Sequence, residues 1–146
     1  MRNYKSLLVL LIGLTALMYA MQNFTSIGAM RQQLDATNSG SGSPAASWTG
    51  FALMISCQLA LAAVALKGAW DMFAARSGTA QEFREAKTTA VWAGGLSLFS
   101  WFALSLLIGV GLFQWGTGTG ESALANSFVL STTSALTSLF VWGTTD

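Results

Sequence analysis

Twenty-five consecutive positions, Ser6 to Met30, carry no charged side chain. A helix needs about 20 apolar residues to cross the hydrocarbon core of a bilayer, so this run alone is long enough to span one. The pattern recurs. Charge-free stretches also cover Trp48 to Leu66, Thr88 to Trp115 and Ser122 to Thr145. Backbone N–H and C=O groups inside lipid must bond within their own segment, which a helix does. The expected fold is therefore all-α, a polytopic membrane protein built as a bundle of four transmembrane helices, with spans at about 6–29, 48–70, 88–115 and 123–142. Composition points the same way. Only 9% of the residues are charged and the mean hydropathy is +0.53, against about 25% charged residues in an ordinary soluble domain. Seven basic and six acidic side chains cannot cover the surface of a soluble fold of this size.

The opening Met1-Arg2-Asn3-Tyr4-Lys5, followed by an apolar run, resembles a signal peptide. No small-x-small cleavage site falls where one is needed, since Met18 precedes Tyr19-Ala20, so an uncleaved anchor is expected. Residues 31–47, rich in Gly, Ser and Asn and holding the single proline, read as a flexible periplasmic loop. Trp48 and Trp70 bracket the second span at a spacing suited to two interfaces. Thr79-Ala80-Gln81-Glu82 fits a capping box, which starts a helix at Ala80 and makes 79–87 a cytoplasmic helical extension of the third span. A helix from Ala80 to Trp115 would be roughly 54 Å long, well beyond a core of about 30 Å. The Gly116 to Gly120 turn leads to a fourth span made less apolar by Ser127, Ser131, Ser134 and Ser138.

Basic residues set the expected orientation. With four spans, Arg2, Lys5, Lys67, Arg76, Arg84 and Lys87 fall on one side and Arg31 on the other. Short cytoplasmic segments are enriched in Lys and Arg, so both termini are expected in the cytoplasm.

The chain has no histidine and a single cysteine, Cys57. That excludes an internal disulfide, multi-cysteine metal sites, the usual haem ligand and the usual general base near neutral pH. Met18 and Met21, one helical turn apart, would suit copper, although flexible apolar filler is the commoner use of methionine. No catalytic residue, metal or cofactor is expected. A net charge of +1 gives no field for collecting phosphate backbones, so nucleic acid is not an expected partner. Gly116 to Gly120 lacks the lysine of a phosphate loop, and Asn23-Phe24-Thr25 lies against the first span, where glycosylation has no access.

Several side chains stand out against this background. Gln58, deep in the second span, needs a partner because a buried amide is costly. It could bond to a hydroxyl of the fourth span, such as Ser131 or Ser134, or hold a polar ligand. Lys67 and Asp71 are spaced to pair along one helix face. Trp48, Lys67, Trp70, Trp115 and Trp142 are candidate interface anchors. Two stripes of small residues, Ala52, Ser56, Ala60 and Ala63 in the second span and Ala123 to Ser138 in the fourth, read as packing seams. Glu82, Phe83 and Arg84 form the candidate docking segment for a partner, with packing of Phe83 near Phe73 as the internal alternative.

Gln58-Leu59 through Leu66-Lys67-Gly68-Ala69-Trp70, then Ala75-Arg76, Phe83, Ala86-Lys87, Trp101-Phe102 and Ile108-Gly109 resemble a bacterial family of predicted small integral membrane proteins, domain of unknown function 2165. The resemblance implies four spans and a bacterial inner membrane. It implies no reaction or cofactor. Gln58 stands where a carboxylate is usual in that family, and Lys67 where an aromatic is usual. The function expected is that of a non-catalytic accessory or structural subunit, with membrane lipid and other membrane subunits, or further copies of the chain, as partners. The alternative is a small-molecule or lipid-binding protein, or a transporter component, using Gln58 and the hydroxyl-rich fourth helix.

Overall fold

The computed structural model describes residues 1–29, 31–32, 44–110 and 121–144, and among them there is no strand. Four helices are long and apolar enough to cross a membrane. They are α1 (Arg2–Thr25), α2 (Pro44–Ala74), α3 (Ala80–Leu98, continued by π turns over Phe99–Ala103 and Ser105–Val110) and α4 (Glu121–Gly143). The all-α expectation and the number of long apolar helices hold at this level.

Helix ends follow local chemistry. α2 takes in residues 44–47, assigned to a loop from sequence, because proline's fixed φ and missing N–H suit the first position of a helix. Residues 33–43, Trp115 and the Gly116 to Gly120 turn lie outside the described residues. α3 starts at the capping box: Glu82 N–H donates to Thr79 Oγ1 at 3.2 Å, and Thr79 N–H donates to Glu82 Oε2 at 2.8 Å. Two otherwise orphaned backbone donors are satisfied together. A single 3-10 turn, Ala75–Ser77, joins α2 to α3.

Consecutive helices run antiparallel and pack side by side. Asn23 and Gly13 of α1 face Gln58 and Leu66 of α2, Gly68 of α2 faces Ala90 of α3, and Gly94 of α3 faces Ser138 of α4. Lys5 of α1 reaches Thr144 at the end of α4. Both ends of the bundle sequence and the α2–α3 turn therefore share one end, the basic end. One core runs from there through Met72, Phe83, Ala65, Leu61, Ala16 and Trp101, and a smaller cluster of Phe51, Met54, Ile55, Leu104 and Ile108 closes the other end.

The seams lie partly where sequence put them. Ser127, Ser131 and Ser134 of α4 are buried, while Leu136 and Leu139 are exposed. In α2 the expected stripe is reversed: Ala52, Ser56, Ala60 and Ala63 are all exposed. The packed face carries Gln58, Leu61, Ala65 and Met72 instead, two positions and roughly 200° around the helix. Replacing Ser131 and Ser134 together by leucine overpacks the α4 seam and is expected to cost about 1–3 kcal/mol. Leu136→Ala should change little. Denaturation in detergent measures both, and a double leucine variant as stable as the parent would contradict the seam.

Candidate functional site

The buried polar groups divide between side-chain pairs, bonds to backbone carbonyls and hydroxyls without a partner. Gln58 is buried, and its Oε1 accepts from Asn23 Nδ2 of α1 at 2.8 Å. The partner is thus not in the fourth span, as sequence suggested. Ser131 donates to the Phe128 carbonyl of its own helix at 2.9 Å, and Ser134 lines a cleft of about 130 Å³ between α1 and α4, beside Trp101. A hydroxyl bond that does cross to the fourth helix joins Ser105 and Ser127 at 3.0 Å. Tyr19 meets Trp101 edge to face with ring centroids 5.0 Å apart. Neither the Ser97 nor the Ser100 hydroxyl, both buried, has a hydrogen-bond partner. They flank the passage from α to π geometry at Phe99, a kind of irregularity often found at functional positions.

The Asn23–Gln58 bond should behave as a modest interhelical coupling of about 1 kcal/mol. A double-mutant cycle with Asn23→Leu and Gln58→Leu measures it. A coupling indistinguishable from zero would mean that the two amides do not depend on each other.

At the basic end, cations are turned inward. Arg2 donates to the carbonyls of Arg76 at 3.2 Å and Gly78 at 2.6 Å, and its guanidinium lies 5.1 Å from the centroid of the Phe83 ring. Lys5 is fully buried and donates to the Thr144 carbonyl at 2.8 Å, where the free carbonyls of a helix C-terminus attract a cation. Lys87 is also buried, with Nζ 5.8 Å from the Phe83 centroid. Phe83 is therefore enclosed between two cations and the core, at 0% exposure. This corrects the reading of Phe83 as a docking residue. The internal alternative holds in a changed form: Phe83 shares its cluster with Met72, while Phe73 is exposed and carries Arg76 over its ring at 3.8 Å. Of the docking segment, Glu82 and Arg84 are exposed, and Glu82 is engaged in the cap.

The anchor residues divide. Trp70 and Trp142 are exposed near the basic end, joined there by Trp92, which sequence did not single out. Trp48 is half-buried and meets Phe51 edge to face, so it packs inward more than an anchor needs to. Lys67 is exposed and pairs with Asp71 at 2.6 Å, and Asp71 also accepts from Thr89 of α3 at 3.4 Å. Among the described residues, no group of three or more His, Cys, Asp or Glu could hold a metal ion.

Two of the grooves that open at the basic end are of similar size. One of about 730 Å³ lies between α3 and α4 and is lined by Arg84, Lys87, Thr88, Trp92 and Trp142. The other, about 560 Å³, lies between α1 and α2 and is lined almost wholly by apolar groups, including Leu7, Leu66, Trp70 and Phe73. No family model, curated protein or solved structure matches the chain.

Proposed function

We propose that the chain is an integral protein of a bacterial inner membrane, crossing it four times with both termini in the cytoplasm, and that it serves as a non-catalytic accessory or structural subunit of a membrane assembly. The observation that carries this reading is how the polar side chains between the helices are used: Asn23 with Gln58, Ser105 with Ser127, Lys5 with the end of α4. Each of these bonds ties one helix to another. The exposed Trp70, Trp92 and Trp142 near the basic end supply the aromatic belt that a membrane interface favours. The polar outer face of α3's first turns, Gln81, Arg84 and Glu85, is the segment left for a protein partner. Kinship with the bacterial small-membrane-protein family belongs to the same proposal, supported by the residues that carry the resemblance.

Gentle detergent extraction followed by native mass spectrometry tests the subunit role. Stoichiometric protein partners support it. A retained small polar molecule and no protein would replace it by the binding reading, which the unpartnered Ser97 and Ser100 hydroxyls favour. Reporter fusions test the orientation: Gly40 and Gly118 should report the periplasm, Gly78 and the C-terminus the cytoplasm. A cytoplasmic Gly40 would overturn it.

A further inference from the structure

We propose that the cleft between α1 and α4 binds one small uncharged amphiphile, a six-membered ring bearing a hydroxyl, taken up sideways from the bilayer; this goes beyond the subunit role and rests only on the membrane placement proposed above. The size of the cleft sets the class of ligand. Its volume is about 130 Å³, and an apolar cavity of roughly 150 Å³ accommodates a benzene ring. Charge narrows the class. The lining holds no ionisable side chain among the described residues, and a charged ligand there would lose its hydration without gaining a partner. Thr15 lies near the middle of α1 and Ser134 near the middle of α4, and the cleft opens outward where Leu11 and Thr133 are exposed. A spanning bundle therefore presents its mouth to the acyl chains.

The hydroxyls select within that class. Ser134 is only 5% exposed and lines the cleft. Its carbonyl accepts from Ser138 Oγ at 2.8 Å, but its own hydroxyl makes no hydrogen bond among the described residues. The hydroxyls of Thr137, on the next turn of α4, and of Thr15, across the cleft on α1, are likewise without a partner there. Thr133 differs, because it donates to the Val129 carbonyl of its own helix at 2.8 Å. Three hydroxyls from two helices thus border one small space whose other walls are apolar, with Leu8 and Leu130 at the sides and the buried Trp101 behind. A serine or threonine hydroxyl both donates and accepts, and so does the hydroxyl of an alcohol or phenol. An apolar ring of the same size fills the volume but leaves the Ser134 hydroxyl unpaired, the costly arrangement for a buried polar group. The Trp101 indole supplies an aromatic surface on which a ligand ring can pack.

The test uses the full chain purified in a non-ionic detergent and titrated with para-fluorophenol or fluorobenzene, two rings that differ by one hydroxyl. Fluorine NMR separates saturable binding from partition into empty micelles. Para-fluorophenol should saturate at one molecule per chain, and fluorobenzene should bind about tenfold more weakly. Ser134→Ala should bring para-fluorophenol down towards the level of fluorobenzene while leaving fluorobenzene where it was, and adding Thr15→Val and Thr137→Val should abolish the remaining preference. The circular dichroism and monodispersity of each variant confirm that it is folded. Equal binding of the two probes by the parent, or a preference that Ser134→Ala leaves unchanged, would overturn the proposal. So would a co-purifying phospholipid that excludes both probes in native mass spectrometry, since the cleft would then be the seat of an acyl chain. Alkaline extraction of cell membranes tests the placement separately. Protein that stays in the membrane pellet but shows no preference between the probes sinks only the ligand site, while protein released by alkali sinks the membrane placement first.

Discussion

Gly68→Leu should prevent the bundle from forming a stable α2–α3 contact. A Cβ at position 68 would stand 2.8 Å from the backbone N of Ala90 and 3.0 Å from its Cα. The obstruction is backbone, so no side-chain rotation relieves it, and the two helices must separate along their length. Overpacking of a tight seam costs about 1–3 kcal/mol and more where the surroundings cannot give; at this position the upper end or beyond is expected. Gly95→Leu is the matched comparison, because nothing lies within 4 Å of a Cβ added there. Thermal or denaturant unfolding in detergent should separate the pair widely. If both variants were as stable as the parent, the closeness of α2 and α3 at Gly68 would be wrong.

Phe83→Ala should cost about 3–5 kcal/mol, the range for emptying a buried aromatic site. The ring is fully buried, beneath Arg2 and beside Lys87, so truncation removes apolar burial and a contact for two cations at once. Charge reversal at Arg84 should leave the stability of the isolated protein nearly unchanged, as exposed charges contribute little. The readout is unfolding of the isolated chain. An unchanged midpoint for Phe83→Ala would mean that the ring is not packed within the chain and would restore it as a surface for a partner.

The parts of this fold legible in the sequence were those set by neighbours along the chain. The charge-free runs fixed the number of long apolar helices, Thr79 and Glu82 fixed the start of α3, and Lys67 with Asp71 paired at the expected helical spacing. What failed depended on how each helix is rotated about its own axis. In a chain this apolar, the outward face of α2 is as hydrophobic as the inward one, so hydropathy does not distinguish them, and small residues occur on both. That is why Ala52, Ser56, Ala60 and Ala63 were assigned to a seam while Gly68 and Ala65 formed it. The partner of Gln58 was sought in the hydroxyl-rich fourth helix and lies in α1, at Asn23. Arg2 and Lys5 counted only as charges near one interface. Nothing local signals that Arg2 bonds to residues 74 and 76 positions away.

Lys5 also determines how the first and last helices can part. Between α1 and α4 the middle of the bundle holds a cleft, bordered by Leu8, Leu11 and Thr15 on one side and Leu130, Thr133 and Thr137 on the other, while the basic end is closed by the bond from Lys5 to Thr144. A lever pinned at one end swings most at the other. Any widening of this cleft pivots on Lys5, so its amplitude increases with distance from the pin, through the level of Trp101 and towards the far ends of α1 and α4.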